Sequence, residues 1–131
     1  MEPMSLTEQE AIALRGLNAA MDLAHSTAVG AGWYRNPQTG EEVQRNVGEV
    51  IALMHSELSE ALEAHRKDLP DDKLPDRISI EVEFADCIIR IFDTARALRL
   101  DVAGAIIAKN RYNRVRADHK LENRAAGGKR Y

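Results

Sequence analysis

The stretch VGEVIALMHSELSEALEAHRKD, residues 47–68, decides the fold. Val50, Ile51, Met54, Leu58, Ala61 and Leu62 recur at helical spacing within it, and Leu53 and Ala64 widen the apolar arc. Asn46 precedes it as an N-cap with Glu49 three residues on, and two prolines within residues 68–75 forbid continuation. The pattern predicts a helix over about 47–68. On its N-terminal side, Ser5 and Thr7 with Glu8 and Glu10 at capping-box spacing open a segment in which Ile12, Leu14, Leu17, Met21, Ala24 and Ala28 predict a helix over about 6–28. Residues 29–45 carry Gly30, Gly32, Pro37 and Gly40 without periodicity and read as a long loop, a length that usually accompanies function. On its C-terminal side, a third helix is expected from Arg77 or Ser79 to about Arg99, and Asp101 can cap a fourth that fades after Arg116. No segment alternates as a strand does. The expected fold is therefore all-α, a four-helix bundle-like core over 1–116 followed by a basic C-terminal tail over 117–131.

Composition narrows the setting. The chain has 131 residues, 44% hydrophobic and 30% charged, which suits one folded domain and excludes wholesale disorder. Cys87 is the single cysteine, so no internal disulfide can form, and a reducing cytoplasm is expected. No apolar run reaches the roughly 18 residues of a membrane span, and no signal-peptide pattern opens the chain. The net charge of -3 hides an asymmetry: residues 1–108 hold 10 Lys/Arg and 19 Asp/Glu, a sum of -9, whereas residues 109–131 hold 8 and 2, a sum of +6.

The acids fall in unusual places. Glu57 lies inside the apolar arc of the 47–68 helix and Glu60 at its border. On the next helix, which is apolar on several sides, Glu83, Asp86, Arg90 and Asp93 share one stripe. Charges are almost never buried alone, so such a stripe calls for ion pairing or a metal. Glu57/Glu60 and Glu83/Asp86 are i, i+3 pairs that can converge from two packed helices. Four carboxylates sharing one volume need a cation, and an all-oxygen set suits Mg²⁺ or Mn²⁺. Either pair alone is common on a solvated helix; both coinciding with apolar arcs favours the metal. On the fourth helix, Lys109, Asn113 and Arg116 continue an apolar stripe, and together with Arg90 they describe a phosphate-binding set, although Lys109 and Arg116 also suit a helix C-terminus.

These residues resemble a known pattern. Met54-His-Ser-Glu57-Leu-Ser-Glu60-Ala-Leu-Glu63, then Glu83-Phe-Ala-Asp86-Cys-Ile-Ile-Arg-Ile91, then Lys109-Asn-Arg-Tyr-Asn113-Arg-Val-Arg116 with Gly127-Gly128-Lys129, is similar in order and type to the motifs of the MazG-like all-α nucleoside triphosphate pyrophosphohydrolases. The resemblance covers about residues 33–129. It implies a four-helix catalytic core that binds Mg²⁺ through Glu57, Glu60, Glu83 and Asp86. The implied reaction cleaves a nucleoside triphosphate between the α and β phosphates, to the monophosphate and pyrophosphate. It further implies Lys109 and Asn113 at the phosphates or nucleotide, and a homodimer or homotetramer whose sites a neighbouring subunit completes. Many members open the first motif with two adjacent acids, whereas Ser56 precedes Glu57 here, which removes one candidate base; Glu60 is the carboxylate expected to double as base.

Base recognition is expected in the long loop, where Trp33 and Tyr34 offer a stacking platform, with Trp33 as a plug for the bundle end as the alternative. His25 can meet a base or sit in the core. Cys87 belongs to an apolar face and reads as packing, His55 and His65 carry no assigned role, and Lys129 is expected to close over the ligand. A di-iron bundle would need two Glu-x-x-His motifs, and Asp22-x-x-His25 is the sole approximation. A non-catalytic helical protein that binds nucleic acid or assembles through its basic end is the competing reading. The acidic body and the scarcity of aromatics in that end, Tyr112 and Tyr131 alone, argue against a nucleic-acid partner.

Overall fold

Three of the four long helices begin where a side chain satisfies free backbone N–H groups, and the one that follows Ile78 has no such cap. The computed structural model describes residues 5–128. In order they form α1 (Glu8–Gly30), α2 (Val47–Lys67), α3 (Ser79–Ala97), α4 (Val102–Val115), a 3₁₀ turn (Ala117–His119) and α5 (Leu121–Ala125). At the start of α1 the capping box closes in both directions: Thr7 N donates to Glu10 Oε1 (3.0 Å) and Glu10 N to Thr7 Oγ1 (3.1 Å). Asn46 Oδ1 accepts from Glu49 N at the start of α2, and Asp101 caps α4 by accepting from Gly104 N. Replacing Thr7 with Ala is expected to cost about 1 kcal/mol of stability, read from the midpoint of urea unfolding.

The fold is all-α. Among the described residues no strand forms, and the two isolated β-bridges, Arg35 with Glu42 and Pro70 with Ile78, tie down loops. Helix ends lie within about two residues of the sequence expectation. The region expected as a plain tail instead carries the 3₁₀ turn and α5; five residues give too few turns for hydrophobic periodicity to show. Lys129 lies outside the described residues.

The chain divides into two compact units, one of residues 19–100 and one that joins the residues up to 18 with those from 101 onward. In the second unit Arg111, unexplained from sequence, grips the nearly buried Glu10 with two short hydrogen bonds, Nε to Oε2 (2.6 Å) and NH2 to Oε1 (2.7 Å). That contact holds the Glu10 carboxyl down at about 2.

The 19–100 unit is organised by α2 and α3, an antiparallel pair joined by an ordered connection. Asp68 ends α2 in the left-handed conformation (φ 51°). Buried Asp71 then accepts from Lys73 N and Leu74 N, while its own N–H donates to Arg77 O. Between the helices lie Val50, Ala61 and Cys87, all buried, and the Cys87 thiol contacts Met54 O at 3.6 Å, which is the packing role expected of it. The loop before α2 is equally ordered. Asn36 Oδ1 accepts from Gln38 N and Thr39 N, Gly40 takes φ 72° at the turn, and Val43 N returns to Tyr34 O.

Candidate metal centre

Seen down the α2–α3 pair at 100° per residue, Glu57 and Glu60 project from α2 to the side on which Glu83, Asp86 and Arg90 project from α3. Three of the carboxylates meet: Glu57, Glu60 and Glu83 each offer an oxygen within 4.8 Å of the others. Asp86 is not in that trio. It stands one turn along α3, half-buried. Glu57 is buried, and its Oε1 accepts from Arg90 Nε at 2.9 Å. Arg90, expected at a phosphate, is thus engaged with a member of the cluster.

The electrostatics follow from this crowding. Burial acts most strongly on Glu83, and the neighbouring Glu57 and Glu60 add to it, pushing its carboxyl up to about 7. Burial acts to raise Glu57 as well, but the Arg90 hydrogen bond and contacts from Glu83 and Glu60 hold it below the ordinary carboxylate value. Asp86 is raised, by burial first and then by the Glu57 charge. Among the described residues, Glu83 Oε2 is buried with no hydrogen-bond partner. A buried oxygen without a donor is costly to keep, and a hard cation is one group that would satisfy it. The all-oxygen donor set could hold a hard divalent cation, with Glu57, Glu60 and Glu83 offering the ligand atoms.

No family model, curated protein or solved structure matches the chain. The site is therefore read from its own chemistry.

The remaining expected residues fall in two places. Trp33 is 62% exposed with the Arg45 guanidinium 5.6 Å from its ring centroid, so it does not plug the helix ends. Tyr34 and His25 both meet Asp93, a contact that the sequence did not suggest. Lys109 and Asn113 lie on α4, and Arg116 directly follows its end, all in the other unit. Lys109 Nζ sits 4.6 Å from the Tyr112 ring centroid, and Arg116 is paired through two 2.6 Å bonds with Asp118 while reaching Asn113 Oδ1 at 3.5 Å. Ser56, in place of a second acid, turns back to Leu53 O.

Glu83 makes a pH prediction whose sign can be worked out. Its folded value of about 7 exceeds the unfolded 4.5, so between those limits the folded chain holds the extra proton. The stabilising contribution is complete below about 4.5 and lost as pH rises through about 7; Asp86 acts in the same direction. Glu10 and Glu57, both lowered, act with opposite sign and only below their ordinary values. Metal-free protein is expected to melt at a lower temperature at pH 8 than at pH 5.5, and millimolar Mg²⁺ to recover the difference at pH 8 alone. A thermal scan flat between the two pH values and indifferent to Mg²⁺ would remove the cluster as a cation site.

Proposed function

We propose that the protein is a Mg²⁺-dependent nucleoside triphosphate pyrophosphohydrolase that acts between the α and β phosphates. The observation that carries the reading is the convergence of Glu57, Glu60 and Glu83 within 4.8 Å around a buried carboxylate oxygen without a partner. The resemblance of the three ordered motifs to the MazG-like enzymes supports the same conclusion. Bound there, Mg²⁺ or Mn²⁺ would offset the charge that develops on the transferring phosphoryl group. The chain's own part is to hold the three carboxylates together, with Arg90 fixing Glu57 by its hydrogen bond. Glu60, the exposed member of the trio, would take a proton from the attacking water. Water adds to the α phosphorus, the bond to the bridging oxygen breaks, and pyrophosphate leaves with that oxygen.

The proposed active form is a homodimer in a reducing cytoplasm. The face of the α2–α3 pair opposite the carboxylates carries Ile51, Leu58, Leu62, Phe84 and Ile88, each 44–52% exposed. So continuous an apolar surface on one helix pair is what an interface leaves when one partner is removed. Two copies packed through it would complete a four-helix bundle, two helices from each chain. Among the described residues no helix is long and apolar enough to cross a membrane, so a bilayer does not account for the surface as a spanning segment would.

The deciding experiment incubates the protein with each nucleoside triphosphate and Mg²⁺ and assays for pyrophosphate. Pyrophosphate with monophosphate supports the reading; orthophosphate, or no product from any triphosphate, rejects it. Salt-sensitive binding of DNA or RNA without turnover would favour the adaptor reading.

A further inference from the structure

At the end of the hairpin where α2 begins and α3 ends, the loop over residues 34–45 and the C-terminal part of α1 enclose a cavity of about 680 Å³. That size is ordinary for a pocket that holds a cofactor-sized molecule. Val29, Val47, Val50, Ala97 and Leu98 give it apolar walls. His25 and Tyr34 supply directed polar groups, and both are held from behind by one side chain. Asp93 is buried, and its Oδ1 accepts from the Tyr34 hydroxyl at 2.8 Å and meets His25 Nδ1 at 2.8 Å. With Asp93 Oδ1 accepting from Nδ1–H, Nε2 is the ring nitrogen left for a ligand, and in that tautomer it is an acceptor. The His25 and Tyr34 rings meet edge to face at 5.3 Å. Burial and the Asp93 contact push the Tyr34 hydroxyl up to about 12, so it remains a donor to Asp93 at any working pH. A buried polar side chain is expensive where an apolar residue would pack; here Asp93 orders two groups on a cavity wall.

The cavity is also cationic, with Arg35, Arg45 and Arg99 in its lining against Glu42. Arg99 is the informative one. It follows the end of α3 in the left-handed conformation, φ 56°, with Arg99 N bonded to Arg96 O and Leu100 N to Ala95 O. That pair of bonds is the Schellman helix ending, whose left-handed position favours Gly. An arginine kept at a position that favours glycine, on a cavity wall, points to a task for its side chain. Seven residues of α2 separate Val50 from Glu57, a rise of about 10 Å, so the cavity and the carboxylates lie within the reach of one nucleotide.

We infer that this cavity takes the base and sugar of the nucleotide, that His25 Nε2 accepts from an N–H of the base, that Arg99 donates to an acceptor atom of that base or sugar, and that Asp93 is the positioning residue which sets base selectivity through His25. The inference rests on the proposed function only for where the phosphates lie.

Trp33 is the chain's one tryptophan and adjoins the lining residues Tyr34 and Arg45, so its fluorescence reports on the cavity mouth. Titrate the full chain, without divalent metal, with AMP, CMP, GMP, UMP and, separately, inorganic pyrophosphate. Saturable quenching by at least one monophosphate and none by pyrophosphate is expected. His25→Ala and Asp93→Ala should weaken that binding at least tenfold and flatten the preference among bases. Asp93→Asn, whose amide oxygen can still accept both hydrogens, should stay within threefold of the parent. Arg99→Gly should melt at a higher temperature yet bind at least tenfold more weakly, a combination that a merely structural arginine would not produce. If Asp93→Ala fails to fold, Ala97→Trp fills the cavity without touching Asp93 and should abolish binding. Parent-like affinity and base preference in His25→Ala or in Ala97→Trp overturn the inference, even where triphosphate turnover shows the carboxylate site to be real. Quenching that obeys these variants in a protein that hydrolyses no triphosphate upholds the cavity and sinks the hydrolase.

Discussion

Replacing Glu83 with Gln should reduce Mg²⁺-dependent pyrophosphate release more than about 100-fold, beyond the 10- to 100-fold that attends loss of an outer-shell partner at a metal site. The substitution is nearly isosteric, so packing of α3 on α2 should persist. What is lost is the negative charge that, beside Glu57 and Glu60, a cation bound there would neutralise. The same change should make metal-free protein more stable at pH 8, because an uncharged amide no longer suffers burial and repulsion there, and should end the recovery of melting temperature by Mg²⁺. The paired outcome separates a ligand from a structural residue, since loss of fold would lower stability and activity together. Mg²⁺-dependent turnover that survives in Glu83→Gln would remove the metal-site reading. Glu57→Gln serves as a contrast: it also loosens the Arg90 contact, so it should depress stability as well as activity.

The backbone was legible because local chemistry set it. Asn46, Asp101 and the Thr7/Glu10 box announce their helices through side chains that reach two or three residues along the chain, and the observed hydrogen bonds are those. The acidic convergence was legible for a related reason: 100° periodicity places Glu57, Glu60 and Glu83 toward a shared side once two helices pack. Asp86 fell outside the trio because periodicity gives an angle, not a reach. Asp93 shows where the reading stopped. It sits on the same stripe as Glu83 and Asp86, and nothing local distinguishes it, but its partners His25 and Tyr34 arrive from 68 and 59 residues away. Arg111 was opaque on the same ground, since its acceptor Glu10 lies 101 residues earlier. A charged residue whose partner is distant in sequence looks like surface until tertiary structure supplies the partner.

The second large effect concerns the apolar face. Leu58→Lys combined with Ile88→Lys should turn a dimer into a monomer in sedimentation velocity, and should make a melting temperature that rises with protein concentration in the parent independent of it. Full burial of a Leu, Ile or Phe side chain is worth about 1.5–3 kcal/mol, and those on this face retain about half their surface, so each stands to gain about 1 kcal/mol from a partner. Ile51, Leu58, Leu62, Phe84 and Ile88 from two chains give ten such contributions, on the order of 10 kcal/mol. That is comparable with the roughly 4–15 kcal/mol that association costs, so the balance is fine. Two lysines per chain remove four of the ten contributions and bring four like charges into one interface. A parent that sediments as a monomer at every concentration, or a double variant that stays associated, would place the bundle within one chain. In that case the half-exposed leucines and isoleucines of α2 and α3 would need a cover from elsewhere.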